Sequence, residues 1–316
     1  MNSIGFRQIF LGLVGIGIIV TGGLTYRHYR IDMDQAYKRV SSGSKVIQTA
    51  CGPIEYTEFG EGAPILIVHG SGGGYDQGKY FGSLIGGKFR WIAPSRFGFL
   101  GTPVPEGANS DLQAEAHACL LDALGIKQIG VVGISLGGPS ALLFSQRYPE
   151  RVTSLVMASA SSHAIPARPA LQTTVFKAFL NDFVYWGIVH ISPAGLLDIL
   201  GVPASFQKEL SSEELARAYA FVEDIMPMGS RRQGQLLEER MSRYEETLIR
   251  KIQAPTLVVH ASDDTLVPFD HASFTARNVP GAELITLEQG GHLAFMFDVN
   301  AQALRQVRQF LEHHNP

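Results

Sequence analysis

The sequence predicts an α/β protein, a mostly parallel sheet covered by helices on both faces. Two observations predict it. Short uninterrupted apolar runs (PILIVH at 64–69, QIGVVG at 128–133, TLVVH at 256–260) alternate with helical patterns. Such runs mark strands buried on both faces. A stretch of about ninety residues, 160–250, carries no convincing buried strand and is too long for a structureless loop, so it reads as a helical insertion. Composition agrees. Of 316 residues, 45% are hydrophobic and 17% charged, below the usual charged share of about 25%, which excludes a disordered chain. A formal net charge of -3 leaves no basic surplus to neutralise phosphates, so no nucleic-acid partner is expected. Cys51 and Cys119 alone exclude a disulfide-built scaffold and a four-thiolate zinc site.

Residues 9–26 (IFLGLVGIGIIVTGGLTY) hold no charge, with Arg7 before them and Arg27 and Arg30 after. Eighteen residues sit near the lower limit of about 17 for a membrane-spanning helix. Hydropathy favours a single-pass anchor over residues 1–30, with 31–53 as a linker that includes the SSGS of 41–44. Competing readings are a cleaved signal peptide, which lacks an A-x-A site, and a buried helix, which the glycines disfavour. The side of the membrane stays open, because basic residues flank both ends.

The elements then follow in order. Residues 54–59 alternate apolar and polar, as a half-buried strand does. Strands are expected at 64–69 and 90–94. Ser110, with Gln113 three residues on, reads as the N-cap of a helix that Gly125 stops. A strand at 128–133 leads into a helix over 136–147, and a strand at 152–158 follows. Helices are expected at 171–182, 212–224 and 234–249. The strand pattern resumes at 256–260 and 283–287, and a helix over about 300–313 closes the chain. This divides the chain into a core of 54–160 and 251–316 and an insertion of 161–250.

Gly133-Ile134-Ser135-Leu136-Gly137 fits G-x-S-x-G, with a buried strand before it and a helix after it. The pattern lifts a serine hydroxyl to the sheet's edge on a sharp turn whose neighbours must be small, and the helix N-terminus favours an oxyanion there. A P-loop reading of 82–89 fails, because Phe89 stands where Ser or Thr would hold Mg²⁺. No HExxH or paired-cysteine set is present, so no metal and no cofactor is implied.

With these motifs the sequence resembles the α/β-hydrolase superfamily, over roughly 54–160 and 250–314. His69-Gly70-Ser71-Gly72-Gly73-Gly74 is similar to the family's His-Gly oxyanion loop. Pro94-Ser95-Arg96-Phe97-Gly98 resembles its Asp-x-Arg-Gly-x-Gly segment, with Ser95 in place of Asp. His260-Ala261-Ser262-Asp263-Asp264 through Val267-Pro268 is similar to its His-Gly-x-x-Asp-x-x-Val-Pro, with Ala261 for Gly. Gly290-Gly291-His292 matches its Gly-His turn. The resemblance implies a triad in the chain order Ser135, Asp264, His292. Serine is a weak nucleophile until a base takes its proton and a carboxylate orients that base. Asp263 and Asp264 are adjacent, so only one can face His292; alignment through Val267-Pro268 favours Asp264, which leaves Asp263 to accept turn hydrogen bonds. The amides of Leu136 and Ser71 are the expected oxyanion hole. His69 and His260, at strand ends, read as buried structural partners.

In the family's terms the insertion is a helical cap. Its stripe of Phe176, Phe179, Leu180, Phe183, Val184, Tyr185, Trp186 and Ile188 is either the cap's packing face or the lining for an apolar substrate. The expected activity is hydrolysis of carboxylic esters, small or lipid-like, through an acyl-enzyme. The alternatives are carbon–carbon bond hydrolysis or cofactor-free peroxidation with the same triad, and a non-catalytic binding module.

Overall fold

The computed structural model describes residues 3–165 and 169–315. Residues 1–2, 166–168 and 316, which fall inside the expected anchor, cap and core, lie outside the described residues. Eight strands form one sheet: β1 (Lys45–Thr49), β2 (Gly52–Phe59), β3 (Ala63–Val68), β4 (Phe89–Pro94), β5 (Ile129–Ile134), β6 (Val152–Ala158), β7 (Thr256–Ala261) and β8 (Glu283–Leu287). Their order is β1-β2-β4-β3-β5-β6-β7-β8. β1 and β2 pair antiparallel, as do β2 and β4; every other neighbour is parallel. The helices are α1 (Ser3–Ser42), α2 (Tyr75–Ile85), α3 (Ser110–Ala123), α4 (Gly138–Arg147), α5 (Ala170–Phe179), α6 (Asp182–Ile191), α7 (Pro193–Ile199), α8 (Ala204–Gln207), α9 (Ser212–Asp224), α10 (Arg232–Met241), α11 (Asp270–Asn278) and α12 (Ala301–His314).

Successive side chains of a strand face opposite ways. Ile65 and Ile67 therefore join Trp91, Val156 and Val259 in one apolar cluster with α2, α12 and the insertion helices. Leu66 and Val68 join Ile92, Val131 and Met157 in the other, under α3 and α4. The continuous apolar runs of the central strands are thus spent on two covered faces.

The membrane anchor expected over residues 9–26 is corrected: among the described residues no helix is long and apolar enough to cross a membrane. The segment is the first part of a helix that runs on without a break to Ser42. It continues past Arg27 and Arg30 because its second half finds protein partners. Met33, Ala36 and Val40 are buried. Trp186 Nε1 of α6 donates to Asp32 at 2.7 Å, Tyr37 donates to Asp182 at 2.9 Å, and Arg39 donates to the Met226 carbonyl at 2.6 Å. Residues 31–53, expected as a linker, instead supply the end of α1 and the edge strand β1. The helix at 110 is capped by Asn109, whose side chain accepts from Leu112 N at 2.9 Å. The expected cap, Ser110, is its first residue and donates to the Met241 carbonyl. A disulfide joins Cys51, in the β1–β2 turn, to Cys119 of α3.

Candidate active site

The site lies at the carboxyl ends of the parallel strands. β5 ends at Ile134 and the chain turns sharply at Ser135, whose φ of 50° is in the left-handed region that non-glycine residues rarely adopt. The neighbouring backbones crowd that turn. A Cβ on Gly137 would sit 2.4 Å from the Val68 carbonyl oxygen, and one on Gly70 would sit 2.6 Å from Ser135 Cβ. Only glycine lets the loop after β3 pass this close to the serine.

His292 follows β8 and lies between the serine and an acid. Its Nε2 is 2.9 Å from Ser135 Oγ, and its Nδ1 is 2.8 Å from Asp264 Oδ2. All three residues are buried. The other Asp264 oxygen, Oδ1, accepts the amides of Leu266 and Val267, both at 2.9 Å. His260 Nε2 approaches Oδ2 at 3.1 Å. Burial would raise the carboxyl's pKa; the charge of His292 and the hydrogen bonds from His260 and His292 outweigh it and hold Asp264 well below the usual carboxylate range. Asp263 turns the other way and accepts the amides of Gly290 at 3.1 Å and Gly291 at 2.8 Å. It anchors the loop that carries His292.

The loop after β3 carries Ser71. The Ser71 hydroxyl donates to Gln235 Oε1 of α10 at 2.5 Å, and the Gly70 amide donates to Gln77 Oε1 at 2.8 Å. Burial, then the nearby Arg96 charge, pushes the His69 ring well below its ordinary pKa. Neutral His69 accepts the Arg96 amide on Nε2 at 2.9 Å and donates from Nδ1 to the Gly70 carbonyl at 2.7 Å. Arg96 in turn meets Glu238 of α10 at 2.6 and 3.2 Å, both side chains 2% exposed. Two side-chain contacts, Ser71–Gln235 and Arg96–Glu238, therefore tie the loop to the insertion. Ser95, where the resemblance expects Asp, donates to Glu55 of β2 at 2.7 Å.

A cavity of about 840 Å³ opens over Ser135, Leu136, Ser71 and His292. Phe176, Phe179 and Tyr185 of the aromatic stripe line it, so part of the stripe faces the cavity. Phe183 and Trp186 pack instead against Tyr29 of α1, with ring centroids 5.0 and 5.6 Å away. At one end of the cavity His163, Asp270 and His271 bring one potential ligand atom each within 4.8 Å of one another. The two rings stack 3.6 Å apart at 13°. Their in-plane lone pairs then run side by side rather than converging, which is poor geometry for one ion.

Fold and site define a class of protein: an α/β sheet whose strand–serine–helix turn meets a His–Asp pair contributed by the last two strand ends. Residues 63–299 match the family model described as alpha/beta hydrolase fold, and the chain belongs to that family of hydrolases. It is similar to the 2-hydroxymuconate semialdehyde hydrolase of Pseudomonas putida, 32% identical over 244 residues that span 74% of this chain and 82% of that one. It is also similar to the uncharacterized hydrolase YcgS of Bacillus subtilis, 28% identical over 280 residues, 83% of this chain and 95% of that one. Among solved structures, an alpha/beta hydrolase fold protein from Nakamurella multipartita superposes with a TM-score of 0.71 at 28% identity, covering 85% of this chain and 99% of that one.

The sequence reading singled out Ser135, Asp264, His292, Leu136 and Ser71, and these residues lie together around the cavity. It did not single out Gln235, Gln77 or Glu238. Each is a polar residue at the right helical spacing to face inward, but its partner is a loop about 140 or more residues away or, for Gln77, a backbone amide, and no periodicity reports such a contact.

Proposed function

We propose that this protein is a serine hydrolase that cleaves carboxylic esters of small or apolar substrates through an acyl-enzyme. The observation that carries the reading is the continuous buried chain Ser135 Oγ–His292 Nε2 at 2.9 Å and His292 Nδ1–Asp264 Oδ2 at 2.8 Å, opening onto a largely apolar cavity. Ser135 Oγ attacks the ester carbonyl carbon while its proton passes to His292 Nε2. Asp264 holds the imidazole with its Nδ1 proton outward and stabilises the imidazolium that forms. The carbonyl oxygen gains negative charge and is received by the amides of Leu136 and Ser71. The intermediate collapses, His292 returns the proton to the departing alcohol, and Ser135 keeps the acyl group. Water then attacks the acyl carbon as His292 takes its proton. The acid leaves and Ser135 is reprotonated.

Carbon–carbon bond hydrolysis is the second reading, and the likeness to a 2-hydroxymuconate semialdehyde hydrolase favours it. A nucleophile, a base and an oxyanion site serve both reactions. The two are separated by measuring kcat/KM on p-nitrophenyl esters of graded acyl length beside a vinylogous ring-cleavage diketone. Ester turnover at least tenfold above the diketone supports esterase action. The reverse ranking sinks it in favour of carbon–carbon cleavage, and turnover of neither by folded protein points to a binding module.

A further inference from the structure

Two buried side-chain atoms have no hydrogen-bond partner among the described residues: Ser159 Oγ and His260 Nδ1. They occupy neighbouring places. Ala158 of β6 pairs with Val259 of β7, so Ser159 and His260 are the next residues on the two strands. The Ser159 amide donates to the Val259 carbonyl at 2.9 Å. Ser159 is 1% exposed and His260 is fully buried. The Ser159 backbone has a φ of 45°, a strained conformation for serine that persists only where its surroundings enforce it.

The chemistry of the two atoms is complementary. His260 Nε2 faces two acceptors, the Val267 carbonyl at 2.8 Å and Asp264 Oδ2 at 3.1 Å. Both demand a proton on Nε2, which leaves Nδ1 of the neutral ring as a bare lone pair. A serine hydroxyl is the donor that a lone pair needs. The groups that face His260 are Asp264 from the following loop, His292 from the loop after β8 and, on α11, His271 with the Phe269 ring at 6.0 Å.

We propose that Ser159 and His260 form a second arm on the acid of the triad: the Ser159 hydroxyl donates to His260 Nδ1, which keeps the His260 proton on Nε2, where it holds Asp264 in the orientation His292 requires. Both are positioning residues, acting through Asp264 and touching no substrate. Asp264 Oδ2 then receives one donor on each side, His292 and His260, and Oδ1 receives two amides, so the carboxylate cannot rotate without breaking four contacts. This assignment rests on the Ser135–His292–Asp264 chemistry proposed above.

The test uses the full chain. Nitrogen-15 NMR of histidine-labelled protein reads the tautomer of His260 directly. The expected result is a single Nε2–H form in the wild type and a mixture of tautomers in Ser159→Ala. In steady-state kinetics on p-nitrophenyl acetate, His260→Leu should lower kcat by about 10- to 100-fold, the range typical for supporting partners of site residues, with KM unchanged. His260→Gln, which places an N–H where Nε2 was, should recover most of that loss. The acid limb of the kcat/KM profile should move to higher pH in the Leu variant and stay in place in the Gln variant. A wild-type His260 protonated on Nδ1, a Ser159→Ala spectrum unchanged from the wild type, or equal kcat in folded Leu and Gln variants would overturn the proposal. If the wild type neither turns over esters nor reacts with a serine-directed probe, the proposed function fails, and the tautomer measurement still decides the Ser159–His260 pair.

Discussion

Replacing Asp264 and Asp263 one at a time by asparagine separates the triad acid from its neighbour. In Asp264→Asn the new carbonyl oxygen can still accept from Leu266 and Val267, as Oδ1 does at 2.9 Å. The amide nitrogen then takes the place of Oδ2 and points its own protons at His292 Nδ1, now 2.8 Å away. Two donors cannot face each other, so His292 must move its proton to Nε2. In that tautomer it can no longer accept the Ser135 proton. The expected loss in kcat is about 10⁴, about 5.5 kcal/mol at 1.36 kcal/mol per tenfold. Asp263→Asn meets a milder problem. Its two amide donors, Gly290 and Gly291, hold the His292 loop, and one of them loses its acceptor at a cost of about 1–3 kcal/mol in stability. The triad contacts themselves survive, so kcat should fall by no more than about tenfold, the low end for a supporting contact. The assay is p-nitrophenyl acetate turnover beside circular dichroism of both variants. Equal losses, or a larger loss for folded Asp263→Asn, would refute the assignment of the acid.

Two further outcomes concern stability. Glu238→Ala leaves the Arg96 guanidinium, 2% exposed, without its bidentate partner. An uncompensated buried charge costs about 3–5 kcal/mol, a Tm roughly 10 °C lower at about 2–4 °C per kcal/mol; a drop under about 3 °C in thermal melts counts against the pair's role. Burial, then the Arg96 charge, lowers the His117 pKa from 6.5 to about 3, so as pH falls below 6.5 the unfolded chain takes up the proton and the folded one does not. Stability should fall by about 2 kcal/mol between pH 7 and pH 5 from this ring alone, and His117→Gln should remove that share of the pH dependence; parallel Tm–pH curves for the two proteins would contradict it.

The central strands and the site were legible in the sequence for one physical reason: buried parallel strands write continuous apolar runs, and the turn residues stand directly after them. β6 and β8 fall where the sequence reading put them, at 152–158 and 283–287. Edges were harder. β1 is five residues with Val46 exposed, and a half-solvated edge strand beside a serine-rich turn reads as linker. α2 carries Gly78 and Gly82, where a Cβ would meet Ala93 or Phe59 at 2.9 and 2.8 Å; close packing against the sheet, and not helix propensity, selects those residues. The uncharged stretch 9–26 read as an anchor because hydropathy scores a window of sequence. Its continuation into a docked helix depends on Asp32, Tyr37 and Arg39 meeting α6 and the end of α9, contacts that span about 150–190 positions and leave no local trace. Asn109 beside Ser110 is a competition between two good N-caps, settled by the Met241 carbonyl, which takes the Ser110 hydroxyl.

The most direct measurement is covalent labelling by a fluorophosphonate probe, read by intact mass and peptide mapping on wild type and Ser135→Ala. The account predicts one adduct per chain, on Ser135, and none on the folded alanine variant. Labelling that persists in Ser135→Ala, or a folded wild type that stays unlabelled, would contradict it.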